Sequence, residues 1–327
     1  MFKKIFAAQN IQTILGNRVV VLGLMSLSLF NSRSYAAIVM KNKIVKAENW
    51  QECSAFLFME EAATPKNLVL QMNGTGIYSN ANKGVIGLEF KSLLEKGKLA
   101  VVTFEKPGLR SDPISLDDGA IMDYELFSRH NPTSLKNCGE ATLLWASDLL
   151  KSQNIFMRGH SEGASVSIDI ASELVAKKSP LLKSLKSLFL SGTPMNWKET
   201  MEFQLSPAKK IQFSKAMESC DNNYLLSDTG VPCAYFKEAF ASISTQKILS
   251  NLGLKSPEFK FNIYHGILDQ HTPFEAVLEF DKENEKRRRT KQSFLNWEGR
   301  YYTAGHGLNM TAMKDIERDL TEECEKQ

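Results

Sequence analysis

The segment Asn154-Ile-Phe-Met-Arg158, followed at once by Gly159-His-Ser-Glu-Gly163 and then by about 15 Ala/Ser-rich residues, constrains the fold more than any other feature of this 327-residue chain. It reads as a buried strand, a glycine-flanked turn and a helix of small residues. The same alternation recurs along the chain. Strands are expected at Asn67–Met72, Leu99–Phe104, Leu185–Leu190 and Phe259–Tyr264, and a helix from about Asn137 to Lys151. Each strand is a near-continuous apolar run, as it must be when helices cover both faces of a mainly parallel sheet. The fold class is therefore α/β.

Residues 1–36 are expected to be an export signal outside this fold. Lys3, Lys4 and Arg18 precede the apolar run Val19–Phe30, and Ser34-Tyr35-Ala36 supplies small residues for cleavage before Ala37. The run is about 12 residues, against roughly 20 for a membrane-spanning helix; its long basic lead leaves an uncleaved anchor as the alternative. Four of the 40 Lys and Arg lie in this segment and none of the 37 Asp and Glu, so the mature chain carries 36 against 37. Its net charge is about −1, which gives no reason to expect a nucleic-acid partner. No later stretch is apolar enough to span a membrane.

Residues 37–327 suffice for one domain. The strand–helix alternation stops between Met195 and about Ser256, where helical spacing returns over Trp197–Met217 and Tyr235–Leu252. Residues 195–256 are read as a helical cap over a substrate pocket, the plainer alternative being a helical insertion packed on the domain. Five cysteines remain, in no metal-binding spacing. Cys220 and Cys233 bracket a short Asn/Gly/Pro-containing loop and are the expected disulfide, and the odd count leaves at least one thiol over. The basic run Lys286–Arg289 reads as a solvated helix face.

Gly-x-Ser-x-Gly between a strand and a helix holds its serine in a tight turn with Oγ above the sheet edge. Gly159 and Gly163 are needed because side chains there would strike the neighbouring strand and helix. A serine hydroxyl attacks a carbonyl only if a base takes its proton, and the base needs a third group to fix its tautomer. Asp269, just past a strand in Gly-Ile-Leu-Asp, is the candidate acid. His306, in Ala304-Gly-His-Gly-Leu308 before the last helix, is the candidate base, with His271 as its rival. His160 is expected to point into or across the core. The negative oxygen formed on attack needs aimed donors. The backbone N–H groups of Glu162 and Thr75 are expected to supply them. Thr75 lies in the turn Asn73-Gly74-Thr75-Gly76, and the Glu162 side chain is expected to face solvent.

These elements in order (strand-Asn-Gly-Thr-Gly, Phe104-Glu-Lys-Pro-Gly108, Gly-His-Ser-Glu-Gly, then Gly-x-x-Asp and Gly-His-Gly) resemble the α/β-hydrolase superfamily, over residues 67–308. Gly-His-Ser-Glu-Gly resembles its lipase, esterase and acyl-peptidase branches. The resemblance implies a triad of Ser161, Asp269 and His306, no cofactor and no metal, and a small-molecule acyl substrate. Two departures stand out. Asn73-Gly74 replaces a common His-Gly, and Glu105-Lys-Pro-Gly-Leu-Arg-Ser111 lacks the second glycine of the usual loop, so no subfamily follows. An exported carboxylesterase-like hydrolase is the expectation, ahead of a peptidase because no acidic cluster marks an amine site. A non-catalytic binding protein on the same scaffold is the alternative from another class.

Overall fold

The computed structural model describes residues 37–48, 51–75, 87–111, 120–255 and 258–326. The expected export signal and Gly76 lie outside them. The strands are β1 (Ile38–Lys46), β2 (Glu52–Glu60), β3 (Asn67–Met72), β4 (Leu99–Phe104), β5 (Leu109–Ser111), β6 (Ala120–Met122), β7 (Asn154–His160), β8 (Leu185–Ser191), β9 (Lys260–Gly266) and β10 (Trp297–Tyr302). The helices are α1 (Lys91–Glu95), α2 (Tyr124–Phe127), α3 (Pro132–Leu150), α4 (Glu162–Ala176), α5 (Trp197–Gln204), α6 (Pro207–Ser219), α7 (Asn222–Thr229), α8 (Cys233–Ala241), α9 (Thr245–Lys255), α10 (Phe274–Arg289) and α11 (Met310–Glu325).

Eight strands form one sheet in the order β1-β2-β4-β3-β7-β8-β9-β10, and β5 and β6 pair antiparallel in a separate two-stranded sheet. From β4 to β10 every pairing is parallel, whereas β1 and β2 add on antiparallel. Every residue of β3 and β4 is buried. Their side chains divide by parity. Leu68, Leu70 and Met72 join the core that also holds Leu143 of α3 and Ile168 of α4, while Val69 and Val101 meet Ile316 and Leu320 of α11. Both faces are covered, so the strands carry no polar alternation.

The strand order places the site. From β3 the chain steps out to β4, then crosses back over β3 through α3 to β7. Loops leaving β3 and β7 therefore part in opposite directions, and a crevice opens at the carboxyl ends of those neighbouring strands. Asn73–Thr75 and Ser161 occupy it.

Between β8 and β9 the chain forms five short helices, α5 to α9, rather than the two longer patterns the sequence predicts. Local chemistry cuts them. Asn196, Ser206 and Asp221 accept backbone N–H bonds as N-caps, Pro207 opens α6, and Gly230 closes α7 at φ 67°. Phe213, Phe236, Leu249 and Leu252 of this segment are buried in the same core as the main sheet. Two disulfides are present. The expected Cys220–Cys233 joins the end of α6 to α8, and Cys53–Cys138, which the sequence does not single out, ties β2 to α3. Cys324 is the free thiol.

Candidate active site

β7 runs into Ser161, which has φ 53° and ψ −120°. A non-glycine residue in that region costs about 1–3 kcal/mol and persists only where its surroundings enforce it. The enforcement is visible. Ser161 N donates to Ser191 O on β8 at 2.8 Å. A Cβ on Gly159 would lie 2.4 Å from the Gly163 carbonyl oxygen, and one on Gly163 would lie 2.2 Å from that of Met72, at the end of β3. The two glycines thus let the turn close against the next strand and its own helix. Ser161 occupies the N-cap of α4 without capping it, and Oγ makes no hydrogen bond among the described residues.

Asp269 and His306 meet because the loops that carry them touch backbone to backbone. A Cβ on Gly266, at the end of β9, would lie 2.3 Å from Ala304 O, and Leu268 N donates to that same oxygen at 3.0 Å. The contact brings His306 Nδ1 to 2.8 Å from Asp269 Oδ2. Asp269 is buried, and burial by itself would push its carboxyl pKa up. His306 and the Thr272 hydroxyl and amide outweigh that and hold it well below the usual carboxylate range. Oδ1 accepts from His271 N at 2.7 Å and Thr272 N at 2.9 Å, and Oδ2 accepts from Thr272 Oγ1 at 2.5 Å. An ionised Asp269 only accepts, so Nδ1 of His306 carries the proton and Nε2 is left as an acceptor. His271 binds Asp269 through its backbone, and its ring lies beside His306 with centroids 4.9 Å apart.

Two side chains differ from expectation. His160 lines the cleft instead of turning into the core. Its Nδ1 lies 3.0 Å from Ser191 Oγ, which also accepts from Arg158 Nη1 at 2.8 Å. A guanidinium only donates, so the serine hydroxyl is free to donate to Nδ1 and fix the ring's tautomer. Burial drives the His160 pKa down to about 3, and the neutral ring stands 4.8 Å from that of His306. Beneath it, Arg158 pairs with Glu89 at 3.0 Å, both buried.

Glu162 is the second. It is 1% exposed and does not face solvent. Its Oε2 lies 2.7 Å from Lys106 Nζ, which also donates to Gly74 O at 2.7 Å. A helix start beside an apolar strand is too crowded for a solvated side chain, and the lysine emerging from β4 compensates the buried charge. Burial would raise the Glu162 pKa; Lys106 and the nearby His130 override it and hold it down to about 2. Lys106 has no counterpart among the residues the sequence marks as functional. Its only sequence signal is a cation wedged between an apolar strand and Pro107-Gly108.

Ser161, His306, Gly74 and Thr75 all line one cleft of about 570 Å³. Trp197, Met201, Leu205, Val231 and Phe236 from the inserted helices form its apolar wall. Lys209 and Asp228 are paired at 2.9 Å on the same side. Among the described residues no group of three His, Cys, Asp or Glu could hold a metal ion, and no helix is long and apolar enough to cross a membrane.

No protein-family model matches the chain, and no curated protein matches its sequence. Solved structures do match. The esterase Pf2001 of Pyrococcus furiosus superposes with a TM-score of 0.53 at 17% identity, over 87% of this chain and 89% of that one. Est1E of Butyrivibrio proteoclasticus, solved with ferulic acid bound, gives 0.54 at 14% identity over 86% and 98%. A puromycin-hydrolyzing peptidase of Mycobacterium tuberculosis gives 0.56 at 12% identity, over 89% of this chain and 39% of that one.

Proposed function

Given its α/β-hydrolase fold, we propose that this chain is a serine hydrolase that cleaves a carboxylic ester through an acyl-enzyme. The observation that carries the reading is the Asp269–His306 hydrogen bond of 2.8 Å in the cleft that also holds Ser161 on its strained turn. Nε2 of His306 takes the Ser161 proton as Oγ attacks the acyl carbon. The carbonyl π pair moves onto oxygen and is met by the amides of Thr75 and Glu162. The C–O bond to the alcohol then breaks, the proton on Nε2 goes to the departing alkoxide, and water repeats the sequence to release the acid. The open Ser161–His306 link is what a bound acyl group is expected to close, since catalytic hydrogen bonds are often long before substrate arrives.

An ester is favoured over a peptide with a free amino terminus. Asp228 is the one carboxylate lining the cleft among the described residues, and Lys209 already neutralises it. Among the described residues that line the cleft, an α-ammonium would find no open counter-charge. Residues 1–36 and two disulfides support export to an oxidising compartment. The α5–α9 segment is read as a cap, because it supplies the cleft's apolar wall.

The test is a fluorophosphonate with purified mature protein, followed by a panel of esters, thioesters and aminoacyl amides. Labelling confined to Ser161, lost in Ser161→Ala, with ester turnover lost in step, is the expected result. Folded wild-type protein that stays unlabelled overturns the reading.

A further inference from the structure

We propose that Lys106 is a positioning residue for the oxyanion hole, a single buried ammonium that aims the peptide group of one expected donor, Thr75, and ties it to the side chain of the residue that supplies the other, Glu162. The inference rests on the hydrolase reading above for the identity of those amides. Its geometry is independent of that reading.

The Gly74 carbonyl and the Thr75 N–H belong to one peptide group. In a trans peptide they point in opposite directions within one plane. Lys106 Nζ donates to Gly74 O at 2.7 Å from inside the protein, where Lys106 is 5% exposed. Fixing the carbonyl inward aims the Thr75 N–H outward, and Gly74 and Thr75 both line the cleft that holds Ser161. The peptide lies hard against the nucleophile, since a Cβ on Gly74 would come within 3.0 Å of Ser161 Cβ. A positive charge on the carbonyl oxygen also draws density from the amide and makes its N–H a stronger donor.

The same Nζ lies 2.7 Å from Glu162 Oε2. Glu162 begins α4, and its amide is the second expected donor. One cation therefore bridges the loop after β3 and the first residue of α4, while the Ser161 carbonyl, which shares its peptide with the Glu162 N–H, accepts from Ala164 N at 2.9 Å. His130 completes the setting. Its Nε2 lies 3.8 Å from Glu162 Oε1, and its ring is held between Phe127 and Tyr235 at 5.2 and 5.4 Å. A buried ion pair is poor evidence of added stability, because apolar replacements often serve as well. Its position across the two donors is what calls for a role in catalysis.

The single change Lys106→Met would strand a buried carboxylate and risk unfolding, so the decisive variant is Lys106→Met with Glu162→Gln. With ester turnover measured and folding checked by thermal melting, kcat is expected to fall about 10²- to 10³-fold, the loss typical of one oxyanion donor. KM should stay within about threefold, and affinity for a trifluoromethyl ketone should fall with kcat, as for an interaction made only in the transition state. A purely structural role would lower the amount of active enzyme but not kcat per fluorophosphonate-reactive site. In ¹⁵N-threonine-labelled protein the Thr75 amide resonance should move in the double variant. It should hold its place in Glu162→Gln alone, which keeps Lys106 on the Gly74 carbonyl. A folded double variant with kcat within threefold of wild type, or a Thr75 resonance that does not move, overturns the proposal. If wild-type protein hydrolysed no ester, the hydrolase reading would fall, and the Thr75 resonance would still decide whether Lys106 aims that peptide.

Discussion

Gly192 leaves the space beside His306 bare: a Cβ built there would lie 2.8 Å from Cε1 of the imidazole and 3.0 Å from Nδ1. The residue also has φ +55°, where a side chain adds roughly 1–2 kcal/mol of backbone strain. Gly192→Ala is therefore expected to push the imidazole off its hydrogen bond with Asp269. Misplacement by about 1 Å can cost around 10²-fold, so ester kcat/KM should fall by about that factor in a protein that still melts cooperatively. Unchanged kcat/KM would show that His306 does not act from the position seen here.

Asp269→Asn tests the other side of the imidazole. The carboxylate accepts four hydrogen bonds, one of them from His306, and an amide in its place can offer an N–H where only an acceptor is wanted. His306 would then be held in the wrong tautomer, with Nε2 protonated. By analogy with such exchanges in serine-protease triads, kcat is expected to fall about 10⁴-fold. Fluorophosphonate labelling should slow in parallel. A loss under tenfold would remove Asp269 from the proposed triad.

Much of this site was legible because its parts are local. A strand, Gly-x-Ser-x-Gly and a small-residue helix are contiguous, and the collision at Gly159 follows from that one turn, whereas the one at Gly163 comes from Met72 on β3. Asp269 and His306 could be nominated from loop context, since each follows or precedes a regular element. What the chain hides is pairing between distant segments. Glu162 looks solvated when read singly, Lys106 carries no mark of its own, and only the return of β7 beside β3 brings their charges together in the interior. His160 was misplaced for a related reason. The hydroxyl that turns it toward the cleft belongs to β8, thirty-one residues on. β1 is an edge strand with five exposed positions in a row, so it carries little of the apolar pattern by which the central strands announce themselves.

The Cys53–Cys138 bond closes a loop of 85 residues, against 13 for Cys220–Cys233. On loop entropy alone the first should stabilise by about 4.6 kcal/mol and the second by about 2.9 kcal/mol. Cys53→Ser with Cys138→Ser is thus expected to lower Tm more than the corresponding change at Cys220 and Cys233, by roughly 3 °C. Differential scanning calorimetry of the two double variants checks the order. Equal shifts would mean that residual structure in the unfolded chain, or strain, dominates over loop length.

Acid should destabilise the fold well above the pH at which carboxylates titrate, and His160 supplies a clean test. Burial holds its folded pKa down to about 3, against 6.5 for an ordinary histidine. Between those values the unfolded chain binds a proton that the folded chain refuses, so stability falls as pH falls, by about 1.4 kcal/mol per pH unit. His130 and His265 are lowered by burial too and act in the same direction. Glu162, held at about 2 against 4.5, adds stability that is present above pH 4.5 and lost toward pH 2. Asp169 opposes them: burial raises it to about 7 from 3.8, and it gives up stability as pH rises through that interval. His160→Gln removes one titrating group from this balance. Urea unfolding at steps from pH 6.5 to 4.5 should show the slope of stability against pH reduced by about one proton relative to wild type. Identical slopes would mean that His160 is protonated in the folded protein, and that the neutral ring assigned beside His306 is wrong.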